Sequence, residues 1–196
     1  TPLMQHTNGN LYGFTVHGGD TSVCQGDGCG VFYSFDIGAG AFASLESTSG
    51  KEGARVGIFG QGFSHSSVVK FGGTQATAVT PSGTTFLNAT VPAGALTGTV
   101  TVTTGSTTLT SSRTFDVTPT TTSFSPPSGP VGTLVTINGT GLTQTTRVTF
   151  NGKSASFAVV SDIEITATVP TGATTGQIRV TTKGGSAITA TSFTVN

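Results

Sequence analysis

Tryptophan is absent from this chain of 196 residues, methionine occurs once, and only 8% of residues carry charge, against ~25% in an ordinary soluble domain. Eight basic residues balance eight acidic ones and no basic run occurs, so the phosphate-neutralising footprint of a nucleic-acid binder is missing. No stretch approaches the ~20 continuous apolar residues of a membrane span. Nor does any window hold Leu, Ala, Glu and Lys at helical spacing over several turns. Nucleic acid and a membrane span are therefore not expected, and neither is a helical fold. The chain opens on Thr1 without a charged-then-apolar leader, as expected of a mature product or of a piece of something longer.

Glycine, threonine and β-branched or aromatic apolar residues take up the space that charge leaves. That vocabulary suits half-buried strands and turns, because β-branched side chains sit well on a pleated surface. A surface poor in lysine and glutamate but rich in hydroxyls points to an exported, extracellular or cell-surface protein. The two cysteines, Cys24 and Cys29, flank Gln-Gly-Asp-Gly. In an oxidising compartment a disulfide closing this small loop is expected, and two reduced loop thiols are the alternative. Zinc wants four good ligands, and only His17 is near.

The chain aligns with itself. Val56, Ile58, Val69 and Phe71 match Val135, Ile137, Val148 and Phe150, all 79 residues apart, as do Gly60 with Gly139 and Gly62 with Gly141. After one deleted residue the offset becomes 78, pairing Val91 with Val169, Val100 with Ile178 and Phe115 with Phe193. Two copies of one unit follow, 43–118 and 119–196, after a distinct segment 1–42. Within each unit apolar residues alternate: Leu87, Ala89 and Val91 in the first, and Ile163, Ile165, Ala167 and Val169 in the second. Period two with one polar face means strands that cover a core on one side. Gly72-Gly73, Asn151-Gly152, Thr171-Gly172 and Gly184-Gly185 supply the turns. Six or seven short strands per unit predict an all-β chain of two tandem two-sheet sandwiches.

The run Phe124-Ser-Pro-Pro-Ser-Gly-Pro130, then Val135-Thr-Ile-Asn-Gly-Thr-Gly-Leu142 and Val148-Thr-Phe-Asn-Gly152, resembles the IPT/TIG family of immunoglobulin-like domains. Val169-Pro170 and Ile178-Arg-Val180 fit that family too. The first unit matches more loosely, with Ser47 in place of Pro126 and Gly60-Gln-Gly62-Phe63 in place of Gly139-Thr-Gly141-Leu142. The resemblance implies two immunoglobulin-like β-sandwiches whose glycines serve tight backbone conformations.

The segment before them, with Asn8-Gly-Asn-Leu-Tyr-Gly13, Gly18-Gly19, Gly30-Val31-Phe32 and Asp36, is similar to one Glo-Ver repeat of bacterial exported proteins. That resemblance implies a single propeller-type blade. A lone blade of about 40 residues cannot bury both faces of its sheet. Leu11, Tyr12, Phe14, Val16, Val31, Phe32, Tyr33 and Phe35 are therefore the candidate assembly residues, to be covered by the first sandwich, by a neighbouring chain or by further sequence.

No catalytic constellation stands out. His6, His17 and His65 lie in no nucleophile-elbow or other catalytic spacing, and Asp162 and Glu164, two apart, are expected side by side on one solvent-facing strand. Asp20, Asp27 and Asp36 lack the spacing of a calcium loop. No enzyme, cofactor or metal is expected. The leading expectation is a structural or adhesive surface protein that self-associates into a fibre through its N-terminal segment, its partners being copies of itself or other surface proteins. The alternative is an accessory carbohydrate- or protein-binding module of a larger secreted protein. Against carbohydrate stands the lack of tryptophan, which leaves Tyr12 and Tyr33 as the tyrosine platforms.

Overall fold

The computed structural model describes residues 3–19, 22 and 28–196. All regular structure among them is β. Strands β1 (Met4–Gln5), β2 (Leu11–Phe14) and β3 (Phe32–Phe35) form an antiparallel sheet in that order. This is three strands among the described residues, where a propeller blade has four. The expected Cys24–Cys29 link falls on Cys24, which lies outside the described residues.

Nine strands follow: β4 (Ser44–Leu45), β5 (Ser49–Gly50), β6 (Arg55–Phe59), β7 (Val68–Phe71), β8 (Thr74–Gln75), β9 (Val79–Pro81), β10 (Phe86–Thr90), β11 (Gly98–Thr104) and β12 (Thr107–Val117). They make a four-stranded sheet, β4-β6-β10-β9, and a five-stranded sheet, β5-β12-β11-β7-β8. Nine more complete the chain: β13 (Thr120–Ser125), β14 (Ser128–Gly129), β15 (Leu134–Thr140), β16 (Thr145–Phe150), β17 (Lys153–Ala155), β18 (Phe157–Ser161), β19 (Glu164–Thr168), β20 (Gly176–Thr182) and β21 (Gly185–Val195). Their sheets, β13-β15-β19-β18 and β14-β21-β20-β16-β17, repeat the first two with every strand advanced by nine. The repeat in sequence is thus a repeat of topology.

Each pair of sheets closes on its own core. In the first, Val56, Ile58, Leu87 and Ala89 of the smaller sheet meet Val69, Phe71, Val100, Val102 and Phe115 of the larger. The second core uses the matching Val135, Ile137, Ile165 and Ala167 against Val148, Phe150, Ile178, Val180 and Phe193. An edge-on ring contact joins Phe71 to Phe115 at 5.1 Å and, at the equivalent place, Phe150 to Phe193 at 5.3 Å. The turn glycines keep step as well. Gly62 and Gly141 take φ of 70° and 68°, a left-handed conformation that a β-carbon disfavours.

A second shared device lies in the hairpins. Pairing of β11 with β12 slips between Thr99 and Thr101, and that of β20 with β21 slips between Gln177 and Arg179. A bulge removes a ladder partner, and here a hydroxyl replaces it. The Val100 N–H donates to Ser111 Oγ at 2.9 Å, and the Ile178 N–H to Thr189 Oγ1 at 3.0 Å.

One expected strand begins later than its alternation implies. Ser161 pairs with Glu164, so Asp162 and Ile163 are the two turn residues between β18 and β19. Ile163 accordingly points to solvent while Ile165, Ala167 and Val169 are buried. Asp162 does not stand beside Glu164 on a strand face. Its Oδ1 accepts from the Thr143 hydroxyl at 2.7 Å and its Oδ2 from the Gly141 N–H at 3.3 Å.

Only Thr118 and Pro119 separate β12 from β13, and the sandwiches touch across that link. The Thr97 N–H donates to Gln144 Oε1 across the junction at 2.7 Å, while within the first sandwich Thr97 Oγ1 accepts from the Val117 N–H at 2.9 Å. Gly184 lies so close to Val117 O that a β-carbon there would collide with it.

Candidate functional site

The N-terminal sheet carries an unusual density of aromatic rings. Opposed residues of an antiparallel pair share a face, and Phe14 opposes Phe32 while Tyr12 opposes Ser34 and Met4. One face therefore holds Met4, Tyr12, Phe14 and Phe32. Tyr12 and Phe32 stack at 5.6 Å with their planes 22° apart. The other face holds Leu11, Tyr33 and Phe35, with Tyr33 folded over Gly13, where any β-carbon would meet its ring. Phe32 is 71% exposed and Phe14 54% exposed, and Val16, Val31 and Phe35 are exposed too. Leu11, Tyr12 and Tyr33 are half-buried.

This sheet is tied to the first sandwich through Thr7. Its hydroxyl accepts from Gln61 Nε2 at 2.9 Å and donates to Gly60 O at 3.4 Å. Between the two bodies runs an open groove of about 330 Å³. Gln5, His6 and Thr7 form one wall; Ser44, Phe59, Gly60, Gln61 and Thr85 form the other. Phe59 ends β6 on the side opposite the core, directly across from Phe86, whose ring it meets at 4.9 Å. Phe59 remains 46% exposed. His6 joins the groove to the aromatic face, its ring meeting the edge of Tyr12 at 5.7 Å.

The groove combines an exposed aromatic plane with amides, hydroxyls and one imidazole, and no carboxylate or ammonium lines it. Such a lining offers van der Waals contact to an apolar ring face and hydrogen bonds around its rim, the usual composition of small-ligand sites. A second hollow, of about 400 Å³, lies on the far side of Ser44 and is lined by Leu45, Glu46, Thr48, Ser112 and Arg113, without an aromatic ring.

Of the residues singled out in the sequence, Tyr12, Phe14 and Phe32 come together on one face, while Leu11, Tyr33 and Phe35 turn to the other. The groove residues were not singled out. Phe59 carried a readable signal, as an aromatic residue at an outward position of a strand whose Val56 and Ile58 face the core. Among the described residues no three of His, Cys, Asp and Glu gather as a metal site, and no helix is long and apolar enough to cross a membrane.

Residues 119–195, the second sandwich, match the IPT/TIG domain. No curated protein sequence matches the chain. Among solved structures, the surface glycan-binding protein PbSGBP-B from Prevotella bryantii is 20% identical, with a TM-score of 0.50 over 74% of this chain and 38% of that one. SGBP-B from a complex xyloglucan utilization locus in Bacteroides uniformis is 19% identical, with a TM-score of 0.37 over 78% of this chain and 48% of that one. The plexin A4 extracellular region is also 19% identical, with a TM-score of 0.40 over 79% of this chain and 18% of that one. The chain spans less than half the length of each. At these identities the likeness is one of fold.

Proposed function

We propose that the chain is a non-enzymatic, surface-exposed binding module of a larger exported protein, and that its groove and the adjoining aromatic face hold a neutral glycan. The observation that carries this reading is the exposed Phe59 ring set among Gln5, His6, Thr7, Gln61 and Thr85. A pyranose presents an apolar C–H face and a rim of hydroxyls, and this groove offers the complement of both. Tyr12, Phe14 and Phe32 extend the apolar track beyond His6. The fold likeness to a surface glycan-binding protein agrees with this reading and with a location at the cell surface. Assembly into a fibre, the leading expectation from sequence, draws no comparable support.

Affinity electrophoresis through gels containing soluble neutral polysaccharides tests the proposal. Retardation of the full chain by at least one neutral glucan or xyloglucan is expected, and Phe59→Ala should weaken it by about tenfold, the scale of one lost stacking contact. Equal mobility in every gel, or retardation unaffected by Phe59→Ala, would remove the groove from consideration.

A further inference from the structure

Ser44 is shared by two hollows. On one side it lines the groove with Phe59, and on the other it lines the larger hollow with Leu45, Glu46, Thr48, Ser112 and Arg113. The path of the chain explains the second opening. Ala43 bridges to Ser111 of β12, Ser44 and Leu45 then pair with β6, and Ser49 returns to pair with Asp116 of β12. Residues 44–48 thus leave the larger sheet and cross to the smaller one. On the opposite wall β12 bulges: Thr110 and Thr114 pair with Thr101 and Thr99, so residues 111–113 stand against Val100 alone. Arg113 leaves the ladder at that bulge, its carbonyl accepting from Ser111 Oγ at 2.5 Å.

The second sandwich repeats the bulge and the hollow but not their contents. Ser123, Phe124, Ala190 and Thr191 take the places of Ser44, Leu45, Ser112 and Arg113, and the hollow there measures about 110 Å³ against about 400 Å³. Ser125 takes the place of Glu46. The neighbouring aromatic pair is missing as well. Phe59 and Phe86 oppose each other across β6 and β10, and at the equivalent positions of β15 and β19 stand Asn138 and Glu164. Duplication alone would keep the two faces alike, so differences gathered on one face mark it as specialised.

Glu46 stands between the aromatic pair and the larger hollow. Its N–H donates to Gly57 O at 2.9 Å, and its Oε2 lies over Gly57 beside the Phe86 ring, in the space that a β-carbon there would fill. We infer that the larger hollow is a second sugar subsite, in which Glu46 accepts hydrogen bonds from, and Arg113 donates them to, the hydroxyls of the unit next to the one stacked on Phe59. The inference rests on the neutral-glycan reading of the groove. A carboxylate only accepts and a guanidinium only donates, whereas each sugar hydroxyl does both, so adjacent hydroxyls of one ring satisfy the two groups together. Their opposite charges cancel, in keeping with a neutral ligand. Between Ser44 and Glu46 the strand advances about 7 Å, the scale of one pyranose ring.

Calorimetric titration of the full chain with cellohexaose, laminarihexaose, xylohexaose and mannohexaose tests the subsite, with amide and arginine side-chain spectra recorded on the same samples. The unaltered chain should bind at least one of these, with shifts at residues 44–48 and at the Arg113 side chain as well as at Phe59. Arg113→Ala and Glu46→Ala should each weaken that ligand about tenfold, the scale of one charge-assisted hydrogen bond, while shifts at residues 5–7 persist. Thr191→Ala, in the matching hollow of the second sandwich, should leave the affinity unchanged. The amide spectrum reports whether each variant is folded. Binding that leaves residues 44–48 and Arg113 unshifted, or that neither variant weakens, would overturn the subsite and leave the groove reading in place. Binding of none of the four would remove the groove reading and the subsite together.

Discussion

Phe71 and Phe150 fill equivalent places in the two cores, each sealed from solvent and each edge-on to a second phenylalanine. Truncating either to alanine removes about the same buried surface and leaves a cavity that sheets on both sides cannot collapse around. We expect Phe150→Ala and Phe71→Ala each to cost ~3–5 kcal/mol in denaturant unfolding, a large share of a small domain's stability. Thr166→Ala, on the outer face of β19, should stay within about 0.5 kcal/mol. Similar losses at Phe150 and Thr166 would contradict the strand register. Core positions were legible in the sequence because a buried strand face repeats every second residue, and because each such residue has a counterpart 78 or 79 positions away. Asp162 and Ile163 were misplaced for the same reason. Ile163 has the parity of Ile165 and Ala167, but the chain is still turning there, and a two-residue turn leaves no mark on the alternation.

At the scale of elements, the hairpins β11–β12 and β20–β21 show what periodicity does not reveal. Ser111 and Thr189 look like two more polar residues in hydroxyl-rich strands, yet each satisfies a buried N–H that a bulge has released. Thr189→Val keeps shape and β-propensity while deleting the acceptor. It leaves the Ile178 N–H without a partner in a buried setting, and should destabilise the second sandwich by ~1–3 kcal/mol. Amide exchange at Ile178 should rise with it. Unchanged stability and unchanged exchange would mean that the hydroxyl is incidental to the bulge. The groove was hidden for a related reason. It forms where Gln5–Thr7 cross β4 and β6, residues some 40 to 55 positions apart in sequence. The aromatic face, by contrast, could be anticipated from composition alone, because a short sheet with Tyr12, Phe14 and Phe32 cannot cover itself.

Across the whole molecule, the N-terminal sheet adjoins the first sandwich along the groove, and only Thr118 and Pro119 link the two sandwiches. The ordinary Glu52 value of 4.5 rises to about 7 in the folded chain, chiefly through burial, so between those values the folded state holds a proton that the unfolded state has released. Stability contributed by Glu52 is therefore present at pH 4.5 and below and is lost as pH rises toward 7. Asp162, held below its ordinary 3.8, contributes stability that is lost only as pH falls through its lowered value. Thermal unfolding should accordingly show a decline from pH 5 to pH 8 that Glu52→Gln abolishes; an undiminished decline in that variant would place its cause elsewhere. The central claim, however, is that the cleft between sheet and sandwich holds a neutral sugar chain, and the most direct measurement is a titration of the isotopically labelled full chain with neutral and acidic oligosaccharides, followed by amide and aromatic chemical shifts. The account predicts saturable shifts at Gln5–Thr7, at Phe59–Gln61 and on the Tyr12–Phe32 face with a neutral oligosaccharide, and none with an acidic one; shifts confined to residues 119–195, or the same response to both ligands, would contradict it.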